Sequence, residues 1–280
     1  MTHFGTILTG IAFSPNLKAN VFETLRLGSF LNSKVILVHV GKKNNEKEEK
    51  ISEYCNAFPE FKESVTVIWE SGNPVDVIIN ACKNHKADLL ILGATKRKKS
   101  KRYYLGAVAK KIAKKAPCSL LLFIKPSIER IPCRHIVVNG LKHPKTNNTI
   151  QASFEFANAI GTNKITIVEE IAQSEVTIKV DDDQSLEKST LLQEQILERE
   201  TSRVSTILNE IDDSLKKDIT IKSQGIFGTR GYSIGHYAKI QRADLLVMNK
   251  PEKSTFWDKI FPQDIDYILS ELPTDVLIIH

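Results

Sequence analysis

The sequence is poor in the features that mark secreted, metal-bound or membrane-embedded proteins. Its 280 residues hold four cysteines, Cys55, Cys82, Cys118 and Cys133, with no C-x-x-C pair. Each lies in or beside an apolar segment, where a free thiol behaves as a small hydrophobe, so neither a disulfide framework nor a zinc site is expected. No run of 18 or more apolar residues occurs, and no membrane association is expected. The start MTHFGTILTG lacks the basic and small-residue pattern of a secretory leader, which gives the expectation of a cytoplasmic protein. Asp181, Asp182 and Asp183 lack the Gly and Glu positions of a calcium loop. No metal is expected from any of these residues.

The composition, 41% hydrophobic and 26% charged, is that of an ordinary globular chain, and the length suits two domains. The chain also says the same thing twice. Residues 87–93 read ADLLILG and residues 243–249 read ADLLVMN. Pro117 lies 29 residues after Asp88, and Pro273 lies 29 after Asp244, so the halves keep an offset of 156, which Gly72 and Gly228 also obey. Near the starts of the halves, TILTGI at 6–11 and HIVVNG at 135–140 give an offset of 129, so the second copy gained residues in its middle. Duplication is the economical explanation, with domains at 1–128 and 131–280.

Charge separates the copies. Residues 1–128 carry 21 Lys and Arg against 10 Asp and Glu, whereas residues 129–280 carry 18 against 23. Such asymmetry steers an anionic ligand toward the first half, or draws the halves together.

Short runs rich in Val, Ile and Leu predict strands at 6–12, 34–40, 64–70, 88–93 and 119–124. Helical apolar stripes fall at 17–31, 74–85 and 105–115, with Pro74 in a first turn, where it is tolerated. The second half repeats the order, with strands at 135–141, 164–168, 218–223, 244–249 and 276–280 and a long amphipathic helix over 186–215. Residues 176–180 (VTIKV) fit either a strand or a loop. The expected fold is α/β: two tandem doubly wound domains, each a five-stranded parallel sheet with helices on both faces.

The order of these segments, with ADLLILG followed by a loop, a Gly, a helix and then APCSLLLF, resembles the universal stress protein family in its tandem form. VHV at 38–40 and SGNP at 71–74 match family habits as well. The resemblance implies a regulatory role in stress response and adenine nucleotide, ATP above all, as ligand. In nucleotide-binding members the fourth strand leads into a G-x2-G-x9-G-[ST] phosphate loop, and an Asp ends the first strand. The matching positions here are Gly93, Lys96, Gly106 and Ala107, with Val40 at the end of the second strand as a further ligand contact, and the Asp position is Ala12. In the second half they are Asn249, Glu252, Pro262 and Gln263, with Leu141 in place of the Asp, and nothing of the motif remains.

Two readings of the first-half loop stay open. Glycine lets backbone amides approach a phosphate, and Lys96, Arg97, Lys98, Lys99, Lys101 and Arg102 add positive charge. Against this, a Lys at the second glycine position resists positive φ, and a charge run is as readily a solvated loop. Nucleic acid is disfavoured because only Tyr103 and Tyr104 are at hand to stack.

Among other residues, His39 reads as a structural histidine, Asp88 and Asp244 as backbone-bonding carboxylates, Trp69 as core, and His135 and His143 as having no metal-ligand spacing. Phe256 and Trp257 are expected to fill the vacant pocket of the second half. Its role is then structural, and the halves are expected to pair through their last strands as an internal pseudo-dimer, with a homodimer as a further possibility. The rival to nucleotide binding is a ligand-free scaffold for protein partners. A slow ATPase is a third reading, for which the sequence names no general base.

Overall fold

The computed structural model describes residues 3–61, 65–96, 103–250, 268–269 and 271–280. They form two compact units, the first comprising residues 1–133 and 269–280 and the second residues 134–268. Phe256, Trp257, Glu252, Pro262, Gln263 and the basic run after Lys96 lie outside the described residues.

In the first unit β1 (Thr6–Ile11), α1 (Leu17–Leu31), β2 (Lys34–Val40), α2 (Asn45–Asn56), β3 (Val65–Glu70), α3 (Pro74–Asn84) and β4 (Leu89–Gly93) alternate. A short pair, β5 (Thr95–Lys96) and β6 (Tyr103–Tyr104), precedes α4 (Ala107–Lys115) and β7 (Ser119–Phe123). The sheet runs β7-β4-β1-β2-β3, all parallel. Its central strands are buried on both faces, which explains their near-continuous apolar sequence. Ile11, Val21, Leu25, Val35 and Leu37 pack on one face with Ile51 and Tyr54 of α2.

The stripe at 74–85 becomes α3, with Asn73 accepting from the Val75 N–H at 2.9 Å and Pro74 in the first turn. Helix α2 escapes a periodicity search because NEKEEKISEYCN buries only Ile51 and Tyr54. Its start is fixed by Asn44, whose side chain accepts from the Lys47 N–H at 2.9 Å.

The second unit contains β8 (His135–Asn139), α5 (Thr146–Ile160), β9 (Lys164–Ala172), α6 (Asp183–Glu210), α7 (Asp213–Lys216), β10 (Thr220–Gly228), α8 (Tyr232–Ile240) and β11 (Leu245–Asn249). Its strands run β10-β9-β8-β11, again parallel. Strands β9 and β10 pair over nine residues each, longer than the expected 164–168 and 218–223, because buried Glu169 and Glu170 continue the strand in place of apolar residues. Residues 176–180 are irregular, so VTIKV is a loop. The last strand, β12 (Asp275–Ile279), lies in the first unit and pairs antiparallel with β7, Val276 opposite Leu122 and Ile278 opposite Leu120.

The correspondence between the halves extends to backbone detail. Asp88 Oδ2 accepts from the Thr6 N–H at 2.8 Å, and Asp244 Oδ2 accepts from the His135 N–H at 3.0 Å, so both aspartates tie the start of their unit's first strand. Lys86 and Arg242 take left-handed φ values of 49° and 51°, and α1 and α5 both end on left-handed residues, Asn32 and Gly161.

Candidate functional site

In the first unit the chain adds β2 and β3 on one side of β1 and places β4 and β7 on the other. The order therefore reverses between β1 and β4, the switch point at whose strand ends open α/β sheets form a crevice and take their ligands. Ala12 follows β1 and is exposed, Val40 ends β2 and is half-buried, and Gly93 ends β4 and is exposed. Helix α4 starts at the same end of the sheet, after Gly106.

The two surviving glycines differ in what they leave open. A Cβ on Gly93 would lie 3.2 Å from Asn20 Oδ1, so the missing side chain admits the Asn20 amide to the crevice. A Cβ on Gly106 would meet nothing within 4 Å, and its φ of −61° suits any residue. What Gly106 leaves is access to the start of α4, which has no side-chain cap and no acidic residue in its first turn. Ala107, the first residue of α4, is exposed.

Lys96 does not form the second corner of a glycine loop. It lies in β5, opposite Tyr103, with Thr95 opposite Tyr104, so the chain after Gly93 leaves as an antiparallel pair. Extended pairing suits a lysine, whereas the positive φ open to glycine does not. The return strand is anchored: the Leu105 N–H donates to the Leu269 carbonyl at 3.4 Å, the Leu272 N–H donates to the Tyr103 carbonyl at 3.2 Å, and Leu105 is buried.

His39 is a structural residue, as its strand context suggests. Its Nδ1–H donates to the Ile11 carbonyl at 3.1 Å, leaving the Nε2 lone pair toward Lys47 Nζ at 3.5 Å. Phe13 and half-buried Trp69 meet its ring edge-on, with centroids 4.9 and 5.2 Å away. Gly41, at φ 154°, has no room for a Cβ beside the His39 ring and completes this packing.

At the corresponding positions the second unit carries buried side chains. Leu141 stands for Ala12, Asn249 for Gly93 and, by strand register, Glu170 for Val40; all three are buried. Asn249 Nδ2 donates to Thr146 Oγ1 at 3.2 Å, and that hydroxyl donates to the Leu141 carbonyl at 2.6 Å. Both Glu170 oxygens accept backbone donors at the start of α8, from Gly231 and Ile234 at 2.9 Å each. A carboxylate thus occupies that helix N-terminus.

Beside Glu170 lies a second buried acid that composition does not reveal. Glu169 accepts from Ser223 Oγ at 2.7 Å, and its Oε2 is buried without a partner. Burial pushes its carboxyl above the ordinary carboxylate range, against the Ser223 hydrogen bond and the Arg203 charge. Glu200, also burdened by burial, ends below its ordinary value because Arg203 at 2.8 Å and Arg199 at 2.9 Å outweigh it. Arg203 also donates to the Gly140 carbonyl. His135 bonds Thr166 Oγ1 through Nε2 at 2.9 Å, and His143 Nδ1 accepts from the Lys145 N–H at 3.1 Å. Among the described residues no group of three or more His, Cys, Asp or Glu is placed to hold a metal ion, and no helix is long and apolar enough to cross a membrane.

The fold has counterparts among known proteins. Residues 41–123 match the universal stress protein family, which shows over that span the resemblance read from the motifs. No curated protein matches the sequence. Among solved structures, a protein of unknown function from Pseudomonas aeruginosa PAO1 is similar over 99% of this chain and 92% of its own, with a TM-score of 0.71 and 15% identity. A putative universal stress protein from Pseudomonas aeruginosa UCBPP-PA14 gives 0.71 and 15% over 99% and 93%. A universal stress protein from Archaeoglobus fulgidus gives 0.59 and 14% over 98% and 95%. At these identities the likeness is one of fold.

Proposed function

We propose that this universal stress protein-like chain is a cytoplasmic regulatory protein of the stress response whose first unit binds an adenine nucleotide, ATP, in the crevice between β1 and β4. The observation that carries the reading is the open start of α4 at Gly106, on the same sheet end as exposed Gly93. An uncapped helix N-terminus presents backbone N–H groups and the positive end of the helix dipole to an anion. Gly93, Gly106 and Ala107 would face the phosphates with backbone, Lys96 would add charge, and the end of β2 at Val40 would meet the base. The role of bound ATP is to mark a ligand-loaded state, and no hydrolytic step is assigned.

Under this reading the repeats at 1–128 and 131–280 form an internal pseudo-dimer in which the second is structural. The buried Leu141, Asn249 and Glu170 support that division, since each occupies space that its counterpart in the first unit leaves accessible. The pairing of Lys96 with Tyr103 favours the rival reading of a ligand-free scaffold for protein partners, because it replaces the glycine corner. Calorimetric titration of the full chain with ATP decides between them. Weak binding that fades from about 0.05 to about 0.5 M salt is expected, because exposed charge attraction is screened within about 10 Å at 0.1 M. Gly106→Glu should abolish it, and absence of heat from the unaltered chain would leave the scaffold.

A further inference from the structure

We infer that Asn20 is the ligand's hydrogen-bond acceptor in the first unit, and that it selects a ribonucleotide over a deoxyribonucleotide. The inference rests on the nucleotide reading above. Asn20 sits in the first turns of α1, and its amide lies over Gly93 at the β1/β4 crevice, 3.2 and 3.3 Å from where a Cβ on that glycine would be. Its Oδ1 is buried and has no hydrogen-bond partner. A buried carbonyl oxygen left unpaired is costly, and such atoms are rare unless something binds them.

Among the described residues at the ends of β1 and β2, no other side chain supplies this chemistry. Ala12, at the end of β1, offers no side-chain acceptor, and Val40 offers none either. Gly93 and the start of α4 present backbone toward a phosphate, which is served by N–H donors. A sugar hydroxyl is a donor and needs the opposite partner, and the orphaned Oδ1 provides it. Gly93 then serves more than phosphate approach, because a Cβ there would stand 3.2 Å from Asn20 Oδ1 and press the amide aside by a few tenths of an ångström. In the second unit Thr149 stands at the position of Asn20 with its Oγ1 likewise buried without a partner, but there Asn249 takes the place of Gly93 and brings a side chain of its own.

The test compares the full chain with Asn20→Ala and Asn20→Asp, titrated with ATP, 2′-deoxy-ATP and 3′-deoxy-ATP. The unaltered chain should bind ATP about three- to tenfold more tightly than one of the deoxy analogues, the range expected for one hydrogen bond. Asn20→Ala should lose that amount for ATP and bind all three alike, whereas Asn20→Asp, which keeps an acceptor, should keep the preference. If Asn20→Ala binds ATP as tightly as the unaltered chain, or retains the ribose preference, Asn20 is not the acceptor while the nucleotide reading stands. If the unaltered chain binds none of the three, both fall together. Circular dichroism melts of each variant show whether a loss of binding reflects a loss of fold.

Discussion

At the scale of single residues, the second unit carries opposed carboxylates whose effect on stability can be measured. Burial raises the folded-state pKa of Glu169 above its unfolded value, so its contribution is most favourable below the unfolded value near 4.5 and is lost as pH rises through the folded one. Glu200 runs the other way: its folded value is depressed, so its stabilisation is present above the ordinary range and lost as pH falls through the folded value. Replacing Glu169 with Gln keeps an acceptor for Ser223 and removes the buried charge. The Gln variant should be more stable than the parent by about 1 kcal/mol in urea melts at pH 8, and the two should converge near pH 4. A difference independent of pH would show that Glu169 is not the titrating group. These residues also mark where sequence reading stops. Asp88 and Asp244 were legible because each stands in the same place before an apolar run, and His39 because its neighbours are apolar. Asn20 was not, since one Asn in an amphipathic helix says nothing until Gly93 is seen beneath it.

At the scale of elements, apolar runs located the central strands to within a residue or two, and Pro74 and Asn73 marked the start of α3. Charged elements were harder to read. Helix α2 has a mostly solvated surface, and the ends of β9 and β10 are written in Glu, Ser and Gln where the reading looks for Val and Ile. Glu170 explains why an acid can finish a buried strand: its oxygens take the Gly231 and Ile234 N–H groups at the start of α8. Glu170→Ala should cost about 2 to 3 kcal/mol, since it leaves two backbone donors buried without an acceptor. Glu170→Gln, which retains one acceptor oxygen, should recover part of that. Equal stability of the parent and the Ala variant in chemical denaturation would contradict the capping role. The long α6 begins with a reciprocal pair, Asp182 accepting from the Ser185 N–H at 2.7 Å and Ser185 Oγ from the Asp182 N–H at 2.9 Å. The acidic run that fails as a calcium loop is in part a helix start.

At the scale of the whole molecule, the repeat and the doubly wound class were legible from spacing, and the apolar last strands of the halves were expected to pair, as β7 and β12 do; that β12 would group with the first unit was not legible, because an apolar run carries no mark of that. Strand β12 comes from the end of the second repeat and completes the first unit against β7, where the Ile124 N–H donates to Asp275 Oδ1 at 2.8 Å. Removing residues 275–280 should therefore expose the edge of β7 and its run of leucines, and lower the melting temperature of the first unit or drive association. A truncated chain that stays monomeric with an unchanged transition would show that β12 is dispensable. The central claim is that one unit binds nucleotide and the other does not, and hydrogen exchange with and without ATP on the full chain tests it most directly. Slowed exchange is predicted at residues 93–96 and 105–109, around Gly93 and the start of α4, with none at 140–146 or 247–250. Protection confined to the second unit, or none anywhere at saturating ATP, would contradict it.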